Sequence, residues 1–560
     1  MKRMSEKIYL QMMPPTEEDY RSSARRITDA LAPTHGKVSL PVQTLRKLYP
    51  MCQKAQWKIT VTLAWNGEHW VLVNAEPGDT THRHYGLAVD LGSTTVVMEA
   101  VDLDRGEVLA TQTAVNRQVA YGNEILSRIF SSHEDPEVLE ALRQATVQTI
   151  RQLVAQLSEE IQYDLTGSGM MVISGNTTMM HFLLGLDAFS VFMSPYATVT
   201  TEPGFLPARD LGLAMDSMVY IVPSMSNYVG GDITSGAIAL GLTRSEQVNV
   251  FLDIGTNGEL LMGNREFMVA GAGAAGPALE GEVIRTGMRA EPGAVDSVKI
   301  RGDRVELSTI GNVPPRGICG SGIVDMIAEL YLEDILDFRG KFIPENSERV
   351  QWRDGEWAYR YADGLYFYQS DVDQFIATKA AAHTMVEYMM QKIGLEMEDV
   401  SRFYLAGAFG THIKIPSGIT IGLYPDLPRE QIVCAGNSSL LGARAILLDR
   451  DLLEDAGRFV NNTDYIQFGE VANFVDIMSA AQGIPHLDQS RYPSVSRWKA
   501  ERKQRIKKIP QVQMDLGVIF MVCKGNQAFF LSFWQYWVHS LSVHSLHRRA
   551  ALDFSQNRSG

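Results

Sequence analysis

Cysteine is scarce: the 560 residues carry four, Cys52, Cys319, Cys434 and Cys523, and no two stand at metal-ligand spacing. No zinc site and no cysteine-held iron–sulfur cluster is readable in this chain, so neither is expected. Thiols this sparse suit a reducing compartment, and a cytoplasmic protein is expected. Positive charge is also short. Lys and Arg total 51 against 65 Asp and Glu, a net charge of −14. A nucleic-acid binder would present the opposite balance, so no nucleic-acid partner is expected. A small polyphosphate would have to be met locally, by backbone amides. Long apolar runs are missing too. Residues 516–523 and 528–538 are the most apolar, are split by Lys524-Gly-Asn-Gln, and are each too short to span a bilayer. Met1-Lys-Arg-Met-Ser-Glu-Lys lacks the apolar core of a signal peptide. No membrane association is expected.

What is present is ordinary globular material: 45% hydrophobic and 21% charged residues, enough for a normal core. The length suggests about three or four folding units. Residues 1–84 mix helix and strand patterns. Lys58–Ala64 and His69–Val73 read as a hairpin around Trp65-Asn-Gly-Glu, and Glu76-Pro-Gly-Asp-Thr reads as a linker. Tyr85–Val115 reads as a three-strand meander. Asp135-Pro136 supplies a helix cap and first-turn proline, with Leu139, Leu142, Ile150, Leu153, Leu157 and Ile161 at roughly helical spacing behind it. Met170–Ser174 follows as a strand. A helix is predicted over 374–393, capped near Asp371 or Asp373 and stopped by Gly394. Residues 496–560, with a basic run at 499–508 and an aromatic-rich stretch, read as an appendage.

One theme occurs twice. Asp90-Leu-Gly-Ser-Thr-Thr95 ends an apolar strand and opens another, and Asp253-Ile-Gly-Thr-Asn-Gly-Glu259 does the same 163 residues later. That offset suits a duplicated domain. The chemistry suits a triphosphate. A glycine lets backbone approach closely, successive amides and hydroxyls donate to phosphate oxygens, and an aspartate holds hydrated magnesium. The expected phosphate contacts are Gly92, Ser93, Thr94 and Thr95 in the first copy and Gly255, Thr256, Asn257 and Gly258 in the second. Asp90 and Asp253 are the expected magnesium residues, acting largely through water, and Asp253 alternatively orients the attacking water. Taken alone, one such hexamer is more often a plain turn with a surface aspartate; two copies in one context shift the balance. Leu405-Ala-Gly407-Ala408-Phe-Gly410 runs a strand into two glycines. Alone it is a strand-to-loop turn, and behind two phosphate hairpins it reads as the loop passing adenosine.

These three motifs, in this order, resemble the phosphate-one, phosphate-two and adenosine motifs of the acetate and sugar kinase, Hsc70 and actin (ASKHA) superfamily. More narrowly, Tyr85–Val97, Ile173–His181, Tyr228–Thr234, Gly273–Gly281, Gly317–Gly322 and Ala435–Ala443 are similar to the reductive activators of corrinoid proteins, from about residue 40 to 490. The resemblance implies a duplicated ribonuclease-H-like two-lobe α/β fold with a small α+β N-terminal domain. The implied divisions are a linker and middle domain at 1–84, a first lobe at 85–247 and a second at 248–495. It implies ATP and Mg as ligands and ATP-driven reduction of cob(II)alamin to cob(I)alamin on a methyltransferase's corrinoid protein. Family members typically open with a ferredoxin-like [2Fe-2S] domain whose clustered cysteines are not seen here, so a separate ferredoxin-like electron donor is expected. A homodimer stays open. The rival readings are a small-molecule kinase of the superfamily, an activator of acyl-CoA dehydratases and a non-catalytic actin-like or chaperone-like scaffold.

The remaining candidates each have an ordinary alternative. Asp232, in Gly230-Gly-Asp, reads as a further magnesium-side, catalytic carboxylate or equally as a helix cap. Asn176-Thr-Thr178 lines the cleft or caps the helix after it. Gly271–Gly281 reaches ligand or only packs backbones. Cys319 reads as a buried thiol before a redox group, His181 as a core histidine, and 499–508 as a solvated helix face.

Overall fold

The computed structural model describes residues 2–122, 124–255, 258–273, 284–466 and 474–504. Thr256, Asn257, residues 274–281 of the glycine-rich loop, Cys523 and the appendage from 505 on lie outside them. Residues 1–492 form one compact unit. It opens with β1 (Ser5–Gln11), α1 (Ser23–His35), β2 (Val38–Ser39), α2 (Val42–Lys54), β3 (Lys58–Trp65) and β4 (Trp70–Pro77). The strands form a sheet of order β1-β3-β4-β2, and β3 and β4 make the expected antiparallel hairpin. Alternation along it feeds two cores. Ile59, Val61 and Leu63 pack with Ile27 and Leu31 of α1 and Leu48 of α2. Ala64, Val71 and Val73 join a core shared with the sheet that follows.

That sheet is built from β5 (Tyr85–Leu91), β6 (Thr95–Asp102), β7 (Val108–Val115), β8 (Met170–Gly175), β9 (Gly204–Pro207) and β10 (Met218–Ile221). Between and after them come α3 (Ile125–Glu134), α4 (Pro136–Glu160), α5 (Thr177–Leu184), α6 (Phe189–Phe192) and α7 (Gly231–Ala239). Asp135 caps α4 by accepting the Glu137 amide, with Pro136 at its first position. Asn176 caps α5 through the Met179 amide.

The second lobe begins with β11 (Asn249–Ile254), β12 (Gly258–Gly263) and β13 (Met268–Gly273). An insertion follows: β14 (Ala294–Arg301), β15 (Arg304–Thr309), β16 (Gly317–Ile318), α8 (Gly320–Leu332), β17 (Val350–Arg353), β18 (Glu356–Ala362) and β19 (Leu365–Tyr368). Then come α9 (Gln369–Ile393), β20 (Arg402–Ala406), α10 (Gly407–His412), α11 (Ile415–Ile421) and β21 (Ile432–Gly436). The unit closes with α12 (Ser438–Leu448), α13 (Leu452–Asn462), β22 (Thr463–Tyr465) and α14 (Phe474–Ala481).

The two six-stranded sheets share one plan. Their orders are β7-β6-β5-β8-β10-β9 and β21-β20-β11-β12-β13-β22. In each, three antiparallel strands form a meander, and the first of them pairs in parallel with the next strand of the plan. A further parallel strand follows in both. This is the duplicated two-lobe fold. The helices after the last parallel strands then cross over. Ile233 and Ala237 of α7 pack with Phe251 and Leu261 of the second sheet. Leu440, Ala443 and Leu447 of α12 pack with Ala88 and Val172 of the first.

Three expectations are corrected. Helix α9 starts at Gln369, earlier than predicted, because the Asp371 carboxylate turns back to the Tyr368 amide at 2.9 Å and fixes the first turn there. Gly394, at φ 70°, ends it as predicted. The segment after β20 is the short helix α10, not a loop. Asp232 is not a cap: Gly230 takes that position and Asp232 lies within the first turn of α7.

Candidate functional site

Both repeated aspartates sit at strand ends. Asp90 is the last residue but one of β5, and Asp253 holds the same place in β11. Residues between β5 and β6 turn tightly: a Cβ on Gly92 would stand 2.5 Å from the Thr95 carbonyl oxygen, so only glycine fits. Two buried residues outside the motif hold this turn from behind. Asn116 donates from Nδ2 to Gly92 O at 2.9 Å and from its amide to Thr94 O at 2.7 Å. Arg128 donates from Nη1 to Ser93 O at 2.7 Å.

In the second lobe, Gly407 begins α10 at φ 76°. A Cβ there would lie 2.5 Å from both Asp253 Oδ1 and Ile254 O, so the start of α10 is pressed against the Asp253 carboxylate. Gly410 is buried one turn on, against Leu405. Gly255 and Gly258 flank the β11–β12 turn; Thr256, Asn257 and the side chain of Ala408 lie outside the described residues.

The three carboxylates feel one another. Burial, then the charges of Asp232 and Asp90, lifts Asp253 to about 7. Asp232 is raised by burial and by Asp90, against a 2.9 Å hydrogen bond from the Ile233 amide. Burial raises Asp90 too, opposed by hydrogen bonds from Ser439 and Asn437. Those partners are neutral and distant in sequence. Asn437 Nδ2 donates to Asp90 Oδ2 at 2.9 Å and Ser439 Oγ to Oδ1 at 2.8 Å. Ser174 Oγ lies 2.9 Å from Ser439 Oγ and can donate to it or to Gly231 O.

Three like charges thus stand near one another without a cationic side chain among the causes of their shifts, which is unfavourable unless protons or a metal cation neutralise them. Their oxygens do not form a set all within 4.8 Å of one another. Mg²⁺ does not need so tight a set, because it keeps several waters and takes few direct carboxylates. The donor set therefore fits the cation that accompanies a polyphosphate.

Three further groups have ordinary structural surroundings. His383, Glu387 and His486 have ligand atoms within 4.8 Å of one another. However, Arg491 pairs with Glu387 at 2.9 Å, and His486 Nδ1 accepts the Asp488 amide at 3.0 Å. Arg491 Nη1 also lies 3.5 Å from His486 Nε2, so a guanidinium already stands against the cluster where a metal cation would have to. Cys319 is buried, with Sγ 3.3 Å from Val295 O. His181 is a core histidine whose Nδ1 meets Thr177 O at 2.7 Å.

Asn437, Ser439, Ser174, Asn116 and Arg128 escaped the sequence reading. Asn437-Ser-Ser before an apolar helix signals only a cap, and Asn437 is one, accepting the Leu440 amide. Its second bond, to Asp90, leaves no local trace.

Known proteins agree in order along the chain. Residues 1–82 match the family described as the RACo linker region, 85–245 the RACo middle region, and 247–496 the C-terminal, ASKHA domain of RACo. The "Corrinoid activation enzyme RamQ" of Eubacterium limosum is 30% identical over 410 residues, 70% of this chain and 69% of that protein. The "[Co(II) methylated amine-specific corrinoid protein] reductase" of Methanosarcina barkeri is 21% identical over 404 residues, 66% of this chain and 71% of that protein. A solved structure, "Reductive activator for corrinoid,iron-sulfur protein", superposes with a TM-score of 0.79 at 33% identity, covering 88% of this chain and 81% of that one.

Proposed function

The chain belongs to the family of reductive activators of corrinoid proteins, and from that premise we propose that it hydrolyses ATP to drive one electron onto the cobalt of a corrinoid protein. The balance is ATP plus water to ADP, phosphate and a proton, coupled to Co(II) plus one electron to Co(I). The electron comes from a one-electron carrier of ferredoxin type. Every ~59 mV of unfavourable one-electron potential costs about tenfold in equilibrium constant, which is why a coupled hydrolysis is needed.

The observation that carries this reading is the cluster of Asp90, Asp232 and Asp253 between two lobes of one plan, all three raised by burial, and Asp232 and Asp253 also by a neighbour's charge. In the proposed site Asp90 and Asp253 hold Mg²⁺ through water, and the bound cation neutralises polyphosphate charge. Gly92, Ser93, Thr94 and Thr95 offer amides and hydroxyls to phosphate from one side, and Gly255, Thr256, Asn257 and Gly258 from the other. Asp253 is well placed in proton affinity to orient an attacking water and take its proton near neutral pH. Gly407, Ala408 and Gly410 lie along the adenosine. Hydrolysis then changes how the lobes sit together, and the corrinoid partner senses that change.

The test is anaerobic. Protein, MgATP, a one-electron reductant and a cob(II)alamin protein are mixed, and cob(I)alamin absorbance is followed. Asp90→Ala and Asp253→Ala are expected to abolish the ATP dependence of its appearance. Variants that match the wild type would overturn the site assignment.

A further inference from the structure

Three successive carbonyls of the phosphate-one turn are each taken up by a donor behind it. Gly92 O receives Asn116 Nδ2 at 2.9 Å, Ser93 O receives Arg128 Nη1 at 2.7 Å, and Thr94 O receives the Asn116 amide at 2.7 Å. Successive peptides whose carbonyls all face one side direct their N–H groups elsewhere, and a nest for an anion needs its N–H groups converging with no carbonyl lone pair facing the anion. The donors are not incidental surface groups. Asn116, Gln118 and Arg128 are all fully buried, in a segment that leaves β7 and returns in α3. Arg128 Nε also binds Gly122 O at 2.7 Å, and its Nη1 reaches Gln118 Oε1 at 3.4 Å. Asn116 Oδ1 accepts the Gln118 amide at 3.1 Å. The segment is thus braced against itself and against the turn at once.

We propose that Asn116 and Arg128 are positioning residues for the nucleotide's phosphates: their side chains pull the carbonyls of Gly92 and Ser93 back, as the backbone N–H of residue 116 does that of Thr94, so that the turn presents its amides to the polyphosphate. Neither residue touches the ligand. Arg128 adds a fixed positive charge behind the anion, in surroundings where burial makes that charge count for more than it would in water. This rests on the proposed ATP site. It deepens that reading by assigning phosphate affinity, separately from adenosine affinity, to two residues outside the motif.

The test compares MgATP with adenosine, which lacks phosphates, by calorimetry on the full chain. Asn116→Ala and Arg128→Lys are expected to weaken MgATP about tenfold each, roughly the loss of one hydrogen bond. Adenosine affinity should stay within about twofold, because the adenosine motif is untouched. Arg128→Lys, which keeps the charge, should retain more MgATP affinity than Arg128→Met. Melting temperature and far-ultraviolet dichroism check folding, and should Arg128→Met not fold, the two milder variants carry the comparison. MgATP and adenosine weakening together would show a general structural role and overturn the proposal, as would unchanged MgATP affinity. Wild type that binds no MgATP would sink the ATP site itself along with this inference, a result that cannot be confused with variants that bind as wild type does.

Discussion

Gly442, in the middle of α12, tests how tightly the two lobes are geared. A Cβ there would lie 2.0 Å from Ser235 O, 2.4 Å from Ser235 C and 2.6 Å from Ser235 Cα. Those are backbone atoms of α7, the helix that crosses it, and they cannot swing aside as a side chain can. To restore an ordinary contact of 3.4 Å from 2.0 Å, the helices must part by about 1.4 Å. Overpacking of this kind costs about 1–3 kcal/mol. Replacing a helical glycine returns about 1 kcal/mol of that, so Gly442→Ala should destabilise by up to about 2 kcal/mol. The site should suffer more than the fold. Ser439 lies three residues before Gly442, and its 2.8 Å bond to Asp90 does not survive a retreat of that size. MgATP affinity should therefore fall by about tenfold, read by calorimetry alongside the melting temperature. Gly457→Ala is the control. It sits inside α13, where an added Cβ meets nothing within 4 Å, and it should raise stability slightly. If Gly442→Ala melts and binds like wild type, or if Gly457→Ala is as harmful, the close-crossing argument is wrong.

Acidity makes the next case. Asp253 is held at about 7 against an ordinary 3.8, so in that window the folded chain keeps a proton the unfolded chain has lost, and stability from this group falls as pH rises towards 7. The ionised form that holds a cation appears above it. Mg²⁺ affinity should thus climb between pH 6 and about 8, with proton release near pH 7 measurable by calorimetry in buffers of different ionisation heat; an affinity flat across that range would refute the assignment. Removing Asn437 and Ser439 tests the same chemistry from the other side. Their hydrogen bonds oppose the upward push of burial on Asp90. The Asn437→Ala, Ser439→Ala double variant should therefore raise that carboxyl further and steepen the dependence of Mg²⁺ affinity on pH; an unchanged slope would show that these bonds do not set its proton affinity.

Much of this was legible before any coordinates, and the reason is locality. Asp90 and Asp253 each end an apolar strand before a small-residue turn, a signal contained in about ten residues, and the structure puts both at the predicted strand ends. Asp135-Pro136 and Gly394 mark helix ends through bonds to their own neighbours. What escaped is what depends on chain segments far apart. Asn437 and Ser439 meet Asp90 across 347 and 349 residues, and Arg128 meets Ser93 from a helix that looks like any amphipathic segment. The early start of α9 has a smaller reason: the sequence offers Asp371 or Asp373 as a cap, while the Asp371 carboxylate serves from inside the first turn.

The crossing helices explain why these long-range bonds matter to the proposed cycle. Asp232 stands at the head of α7, which follows the first lobe's last parallel strand yet packs on the second lobe's sheet. Asn437 and Ser439 stand at the head of α12, which follows the second lobe's last parallel strand yet packs on the first lobe's sheet. Each lobe's carboxylate is therefore flanked by a helix whose preceding strand belongs to the other. A rotation of one lobe against the other must move Asp232 relative to Asp253, or Asn437 relative to Asp90, because the two helices touch backbone to backbone at Ser235 and Gly442 and cannot slide independently. In the proposed cycle, occupancy of the phosphate site and the angle between lobes would then be one variable, and a partner that grips both lobes would read nucleotide state without touching the nucleotide.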